Sequence, residues 1–331
     1  EYMFVGTGAG EKDNHISLLC DMYRIKKDDF IFFYIEGNKL KKGRFFGIFR
    51  AVDNNVYHLT GDDAKTPDLP KKLIYRKSII PYKVYPKGVL EWIALDKLPI
   101  YAREVMWTLI YRKMKGGRGN TMLFPWEVEK LIKLIEDENK GNFLKGENFN
   151  FDIGSFEIVK DTNIAFSSGN ILKNKKVLNA VDVKLGENYF QAYILQNLSL
   201  FNNDFYPEIF GKNIVWIGNE VYAGSGMQKI DLLTIEKLDE TSFIYRIIEL
   251  KHFKSSDNIE NAPSQLKYYL EWAIEKNGGH LIGSREYNIM PILLVFSKKN
   301  NSIPDNIIKE IEKLKNISLG EKIYQIYLNK F

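Results

Sequence analysis

Two short apolar stretches, Lys229-Ile-Asp-Leu-Leu233 and Ile247-Ile-Glu-Leu-Lys251, each carry charged residues. Apolar strands rarely do so, because burying an unpaired charge costs several kcal/mol. Residues i and i+2 of a strand share a face, so Glu249 and Lys251 are predicted to point the same way. If the strand of Asp231 pairs alongside, two carboxylates and one ammonium group converge. These groups are the minimum set for holding a divalent metal ion and activating a water molecule beside it.

The composition is that of a folded protein, because 45% of the residues are hydrophobic and 14% are aromatic. At 331 residues the chain is long for one core, so we expect two domains. The single cysteine, Cys20, excludes a disulfide framework and a cysteine-based zinc site, and it suits a reducing compartment. No run approaches the roughly 20 apolar residues of a membrane span. We therefore expect a cytoplasmic protein with no membrane partner.

The front of the chain, to about residue 115, has the pattern of short strands separated by turns. The predicted strands cover residues 29–35, 43–52, 56–59 and 73–84. This spacing predicts a small β-barrel or sandwich within an α+β domain. Two amphipathic helices follow at 100–115 and 125–138, and the second has Pro125 in its first turn and Gly141 past its end.

Residues 141–185 are polar and only weakly periodic, and we interpret them as a connector, with a hairpin at 149–159 as the alternative. The order of elements is clearer beyond them. Helices are predicted at 187–198, 263–276 and 304–315, and strands at 214–222, 229–236, 243–251, 289–296 and 322–328. This order predicts an α/β domain whose mixed sheet is flanked by helices.

The back of the chain, residues 186–331, resembles the PD-(D/E)XK nuclease superfamily, which has the restriction-endonuclease-like fold. The resemblance rests on a helix, a three-strand meander, a helix and a strand, with Asp231 on the second strand and Glu249-Leu-Lys251 ending the third. Gly224-Ser-Gly-Met-Gln-Lys-Ile-Asp231 is similar to the glycine-containing turn that precedes the metal-binding aspartate. Gln265-Leu-Lys-Tyr-Tyr269 is similar to the Gln-x-x-x-Tyr element of the RecB-like branch.

This resemblance implies that Asp231 and Glu249 bind Mg²⁺ or Mn²⁺, with the carbonyl of Leu250 as a further oxygen ligand. It implies that Lys251 orients the attacking water molecule and stabilises the charge that develops on the phosphate. The alternative for Glu249 and Lys251 is an ion pair at a strand end, which contributes little.

The same resemblance implies roles at the candidate metal site for three other residues. Gln265 would position Lys251 or the water molecule, Tyr269 would contact the backbone or brace the site, and Glu187 would be an additional or outer-sphere metal ligand. The alternatives are ordinary helix-surface residues for Gln265 and Tyr269, and a helix N-terminal acid favoured by the helix dipole for Glu187. Glu220, on the first strand, is an alternative metal ligand.

The front of the chain, about residues 1–138, resembles the EVE, YTH and PUA-like group of small β-barrels. The stretches that carry this resemblance are Ile31-Phe-Phe-Tyr34, the strand from Gly43 to Val52, Leu73-Ile-Tyr-Arg76 and the run from Val89 to Lys97. Several members of the group read a modified or flipped base in an aromatic pocket, which needs apolar walls and a few hydrogen-bonding groups. The candidates for the walls are Tyr34, Trp92, Trp107 and Trp126, for which the alternative is a place in the core.

Basic residues of the front part are candidates for contacts with backbone phosphates, which position a protein without reading sequence. They are Arg44, Arg50, Arg76, Lys77 and the cluster Arg112, Lys113, Lys115 and Arg118. The alternative for each is a solvated surface charge. A net charge of +5 is compatible with a polyanionic partner but is not evidence for one.

Together these resemblances imply a reader domain at 1–140, a connector at 141–185 and a nuclease domain at 186–331. The implied activity is a metal-dependent DNA endonuclease of the modification-dependent restriction type, acting on double-stranded DNA. Cutting both strands favours a homodimer. The alternatives are a repair endonuclease for damaged, mismatched or branched DNA and a non-catalytic DNA- or RNA-binding protein on a nuclease scaffold.

Overall fold

The computed structural model describes most of the chain in two compact units, residues 1–176 and 177–331. The described residues are 3–8, 15–66, 71–96, 119–162, 178–198, 207–223, 228–252, 259–274, 286–297, 302–316 and 322–327. Each unit has its own main sheet.

The first unit is an antiparallel sheet with helices. Its strands are β1 (Phe4–Thr7), β2 (Phe30–Ile35), β3 (Arg44–Ala51), β4 (Tyr57–His58), β5 (Tyr75–Pro81), β6 (Val89–Leu90), β7 (Phe149–Asp152) and β8 (Glu157–Lys160). Its α-helices are α1 (Ile16–Arg24), α2 (Glu91–Asp96) and α3 (Pro125–Glu138). The main sheet has the order β1-β5-β3-β2, with β4 paired to β5 and β6 paired to β3. Among the described residues β1 and β2 each have one neighbour, so these pairings do not close a barrel.

Strand β3 is covered on both faces, which explains why it is almost entirely apolar. Phe45 packs with Leu131 and Ile135 of α3 in one cluster. The next residue, Phe46, points to the other face, because successive residues of a strand alternate. It packs there with Phe156 and Ile158 of the β7–β8 hairpin. The sheet is therefore the middle layer of this unit.

The predicted strands and the helix at 125–138 of this unit are confirmed, and α3 has both of its predicted end signals. Pro125 begins the helix, and the Glu127 carboxylate accepts a hydrogen bond from the Phe124 N–H at 2.8 Å. Gly141, with a φ of 73°, follows its end and donates its N–H to the Glu136 carbonyl at 2.8 Å.

Helix α1 lies where no element was predicted. Its N-cap residue, His15, makes no side-chain capping bond, so the usual sequence signal for a helix start is missing.

The stretch 141–185, interpreted from the sequence as a connector, is divided between the two units. Residues 149–160 form the β7–β8 hairpin, and Leu144 makes a β-bridge with Val84. Phe156 and Ile158 of the hairpin belong to the first unit's core. Residues 180–185 form a 3₁₀ helix that precedes the first helix of the second unit. The alternative prediction of a hairpin at 149–159 is therefore confirmed, and the interpretation of this part as a connector is wrong.

The second unit is a five-stranded mixed sheet flanked by helices, as predicted. Its strands are β9 (Ile214–Ala223), β10 (Gln228–Lys237), β11 (Ser242–His252), β12 (Glu286–Ser297) and β13 (Lys322–Tyr327). Its α-helices are α4 (Glu187–Gln196), α5 (Pro207–Phe210), α6 (Ala262–Ile274) and α7 (Asp305–Glu312). The order is β13-β12-β11-β10-β9; β9, β10 and β11 are antiparallel, whereas β11, β12 and β13 are parallel. Strand β11 is therefore central.

The place of the hairpin in the first unit can be tested with two adjacent residues of β8. Ile158 is buried in the core and Val159 is exposed. We expect Ile158→Ala to lower the free energy of unfolding by about 2–4 kcal/mol, as in other buried large-to-small changes. Val159→Ala should change it by less than about 0.5 kcal/mol, as is usual at the surface. Denaturant unfolding measures both, and small, equal effects would show that the hairpin is a detachable linker.

Candidate metal centre

Asp231, Glu249 and Lys251 meet on one face of the second sheet. The Lys251 Nζ lies 2.6 Å from the Glu249 Oε1, as expected for residues i and i+2 of one strand. The charge of Glu249 raises the pKa of Asp231, so the two carboxyls lie near each other, and the Asp231 Oδ2 accepts the Leu250 N–H at 2.8 Å. Glu249 is 2% exposed and Lys251 is 5% exposed. This pair is therefore buried and is not the exposed strand-end ion pair of the alternative interpretation.

The site lies where strands β10 and β11 separate. Their pairing ends at Leu232 and Ile248, although both strands continue beyond that point. Backbone groups freed by the separation need other partners. The Tyr269 hydroxyl of α6 donates to the Lys229 carbonyl at 2.6 Å, and the Gln191 side chain of α4 donates to the Asp231 carbonyl at 2.9 Å. Two helices thus fix the backbone that carries Asp231.

Burial and like charge determine the protonation of the two carboxyls. Burial raises the pKa of Glu249 to about 6, although the neighbouring Lys251 opposes the rise. The pKa of Asp231 is raised well above its ordinary value by burial and by the charges of Glu249 and Glu187. For Lys251, burial lowers the pKa, but the Glu249 carboxylate outweighs it and the pKa is raised. The lysine is therefore a fixed cation, while the acids are held together against their repulsion.

Several buried acceptor oxygens of this unit have no hydrogen-bond donor among the described residues. Glu249 Oε2, Gln191 Oε1 and Gln265 Oε1 are among them. Glu249 is part of the site, Gln191 contacts Asp231 through its amide nitrogen, and Gln265 lies one turn before Tyr269 on the same face of α6. A buried acceptor without a donor is costly, and a cation bound at Glu249 would satisfy the oxygen of that carboxylate.

The carboxylates suit a magnesium-sized ion in number and in ligand type. Mg²⁺ is commonly held by one or two carboxylates together with water molecules and substrate phosphates. Asp231 and Glu249 supply two carboxylates, and the unpartnered Glu249 Oε2 is free to be a ligand. Within the described residues, no group of three or more His, Cys, Asp and Glu side chains is arranged to hold a metal ion.

The other predicted site residues differ in their placement. Glu187 begins α4, and its charge raises the pKa of Asp231, so it lies nearby. Tyr269 contacts the backbone and lies close enough to the two carboxylates for them to raise its pKa, in addition to the larger effect of burial. Leu250 contributes its N–H to Asp231. Glu220, the alternative ligand, pairs instead with Lys229 at 3.0 Å.

Sequence reasoning missed Gln191. It lies four residues after Glu187 on α4, so the two share a helix face. That spacing was the available signal, but no motif singled it out, because Gln191 acts on a backbone carbonyl rather than on the carboxylates themselves.

The candidate base-binding aromatics are placed in different environments in the first unit. Tyr34 packs its ring on Phe45, with 5.0 Å between centroids, and donates its hydroxyl to Glu91. Trp92 is 40% exposed, and the Lys42 Nζ lies 3.9 Å from the centre of its ring. Trp107 and the side chain of Trp126 lie outside the described residues.

Two of the predicted phosphate contacts are wrong. Arg76 is buried and donates to backbone carbonyls, including those of Leu73 at 2.9 Å and Ala64 at 3.0 Å. Lys77 is fully buried and donates to the Asp53 and Asn55 carbonyls at 3.0 and 3.2 Å, and burial lowers its pKa to about 7. Both cations satisfy internal carbonyls, so neither reaches a polyanion.

The remaining basic candidates divide into two groups. Arg44 donates to the Gly88 carbonyl and pairs with Glu138 at 3.5 Å, and Arg50 stacks over Tyr82 at 3.9 Å. The cluster Arg112, Lys113, Lys115 and Arg118 lies outside the described residues.

No protein-family model, curated protein or solved structure matches this chain. Within its described part, the chain has no helix long and apolar enough to cross a membrane.

Asp231→Asn is expected to stabilise the protein in the absence of divalent metal ions. A carboxyl whose pKa is raised by folding stabilises the fold at low pH, and this contribution is lost as pH rises through the folded-state pKa. At about pH 7.5 only the wild type carries the free-energy cost of a buried acid whose pKa is raised by folding, so we expect the variant to have a Tm higher by roughly 2 °C or more. The difference should shrink toward about pH 4, where the Asp231 carboxyl of the folded protein is neutral.

Thermal unfolding with a chelator across this pH range measures the effect. Asp239→Ala is the control with the opposite sign. Asp239 is exposed, and hydrogen bonds from Thr241 and Ser242 lower its pKa to about 2, so its removal should destabilise the protein at neutral pH. A variant Asp231→Asn that is no more stable than the wild type at neutral pH would contradict the assigned repulsion.

Proposed function

We propose that this protein is a metal-dependent DNA endonuclease whose active site is the buried cluster of Asp231, Glu249 and Lys251. The observation that carries the proposal is that a carboxylate paired with an ammonium group lies beside a second carboxylate at the point where two strands separate. Perturbed carboxyls with a specific charge partner are typical of functional sites. Metal-dependent phosphodiester hydrolysis uses such a set: acidic ligands for a metal ion and a fixed positive charge beside them.

Asp231 and Glu249 would hold Mg²⁺ or Mn²⁺, and the ion would supply Lewis-acid stabilisation of the phosphate and an activated water molecule. Lys251 is held by Glu249 and kept charged, so its ammonium would offset negative charge developing on the scissile phosphate. Gln191 and Tyr269 would act indirectly, because they hold the backbone on either side of the Asp231 side chain. Gln265 would present its buried amide oxygen to the ion or to the attacking water.

We further propose that the first unit is a small barrel-like reader of a modified or distorted base. Trp92 supports this role, because an exposed ring under a lysine offers a flat apolar face beside a positive charge. Glu91 precedes Trp92 in the sequence, and the hydrogen bond that it accepts from the Tyr34 hydroxyl fixes both polar groups. A reader of this kind with a sequence-indifferent cutter is the combination that a modification-dependent restriction enzyme requires. Cutting both strands of a duplex would favour a homodimer.

The cleavage activity can be tested with Mg²⁺ or Mn²⁺ and a panel of substrates: plain, methylated and hydroxymethylated duplexes, branched DNA and RNA. We expect Asp231→Asn to lower the cleavage rate by about 10²–10³-fold, the size associated with loss of one transition-state contact. The variant should be folded and more stable, which excludes misfolding as the cause. Asp239→Asn, the same change at an exposed turn of the same unit, is the matched control.

The outcomes separate the functional alternatives. Undiminished cleavage by Asp231→Asn would remove the site assignment. Preference for branched or mismatched DNA would favour a repair endonuclease, and equal cleavage of plain and modified duplexes would remove the reader while leaving the nuclease. Metal-independent nucleic-acid binding without cleavage would favour a non-catalytic binding protein.

Trp92→Ala tests the reader. A base stacked on an aromatic ring contributes about 1–3 kcal/mol, so we expect affinity for the preferred modified duplex to fall about tenfold. Affinity for the plain duplex should change much less. Phe143→Ala, at another exposed aromatic of this unit, is the matched control. Binding is measured by fluorescence anisotropy in the Asp231→Asn background, and equal losses on both duplexes would argue against base reading.

A further inference from the structure

Lys229 lies on the same sheet face as the candidate metal centre. It precedes Asp231 by two residues on β10, and Ile230 and Leu232, which alternate with them, are both fully buried on the other face. The Lys229 side chain is 35% exposed, so its ammonium is accessible from solvent. The centre therefore has a second cation beside it, in addition to the buried Lys251.

Lys229 is held by Glu220 of the neighbouring strand. The Lys229 Nζ lies 3.0 Å from the Glu220 Oε2. The register places Val221 opposite Ile230 and Asn219 opposite Leu232, so Glu220 lies beside Asp231 in the sheet. Its backbone has a φ of 48°, in the left-handed region that non-glycine residues rarely adopt. Such conformations carry a free-energy cost and are concentrated at functional sites.

The spacing along β10 suits two consecutive phosphates. Residues i and i+2 of a strand are about 6.6 Å apart, and their side chains are parallel. This is close to the distance between neighbouring phosphates of one nucleic-acid strand. A strand whose scissile phosphate lies at Asp231 would therefore bring an adjacent phosphate within reach of the Lys229 ammonium.

We propose that Lys229 binds the phosphate next to the scissile phosphate, and that Glu220 is an internal competitor that occupies Lys229 until nucleic acid binds. This inference rests on the proposed nuclease function. It gives the site a polynucleotide substrate with a further phosphate beside the cleaved one. It also gives Glu220 a role distinct from metal binding: its carboxylate is displaced when the phosphate arrives.

The test uses the full chain and four variants: Lys229→Gln, Glu220→Gln, the double variant and Lys237→Gln. Lys237 is the matched control, because it lies on the same strand, is 30% exposed and pairs with Glu240 at the same distance of 3.0 Å. It is eight residues from Lys229, or about 26 Å along the strand. Cleavage kinetics on a duplex with Mg²⁺ give kcat and KM. Binding of the same duplex across a salt series, in the Asp231→Asn background with Mg²⁺, gives affinity and its salt dependence.

We expect Lys229→Gln to raise KM about tenfold with a much smaller change in kcat, and to reduce the slope of log K against log salt by about one. Glu220→Gln should lower KM and tighten binding severalfold, because it releases Lys229. The two variants break the same ion pair, so a purely structural role would shift both in the same direction. In the double variant the gain from Glu220→Gln should vanish, whereas a general effect of removing a negative charge would persist.

The inference is overturned if the wild type cleaves DNA and Lys229→Gln changes KM and the salt slope no more than Lys237→Gln does. It is also overturned if Glu220→Gln weakens binding, or if its gain persists without Lys229. Thermal unfolding of each variant identifies any loss of binding caused by misfolding. If Lys229→Gln misfolds, the effect of Glu220→Gln on binding decides whether Lys229 binds a phosphate. Failure of the wild type to cleave any member of the panel would instead remove the proposed function, and this inference with it.

Discussion

The second unit is organised around a local electrostatic conflict, in which the acidic side chains of Asp231 and Glu249 lie close together in the fold. Burial raises the pKa of Glu249 and Asp231, and the nearby Glu187 raises both further. Only Glu249 has an ammonium partner, because Lys251 follows it on the same strand. Without a bound cation, this arrangement lowers the free energy of unfolding. A rigid framework that maintains it is poised to gain stability from a cation, which is the property expected of a metal centre.

The framework comes from the mixed sheet and from two helices that reach across it. Strand β11 pairs with β12 from Ser242 to His252, so its backbone is fixed along its length even where β10 separates from it. Strand β10 pairs with β11 only from Leu232 onward, and the carbonyls of Lys229 and Asp231, which precede that point, are taken up by Tyr269 and Gln191. The two strands are not hydrogen-bonded to each other at this point. The hydrogen bonds from α4 and α6 hold the unpaired part of β10 in place. Gln191 and Tyr269 bind backbone carbonyls, and through the backbone they help to position the Asp231 carboxyl relative to Glu249.

The first unit shows why basic residues are poor evidence of a nucleic-acid surface on their own. Arg76 and Lys77 lie on β5 and appeared from the sequence to be available cations. In the fold each donates to backbone carbonyls of neighbouring loops, so both hold those loops in place. A sheet covered on both faces buries even its charged positions, and their charge is then used internally.

The sequence by itself determined the five strands of the second unit, its helices α4, α6 and α7, and the shared face of Glu249 and Lys251, because strand alternation and helical periodicity are local properties; it did not indicate the short helix α5. It also indicated that Asp231 belongs with them, through the spacing of charges on apolar strands. Only the tertiary structure decided that the strands separate beside Asp231, that Gln191 and Tyr269 hold the separated backbone, and that Glu220 pairs with Lys229. It likewise placed the β7–β8 hairpin in a core and buried Arg76 and Lys77. These outcomes depend on which segments, distant in sequence, pack together. Strand register and the point at which two strands separate bring those segments into contact, and no local sequence pattern encodes either.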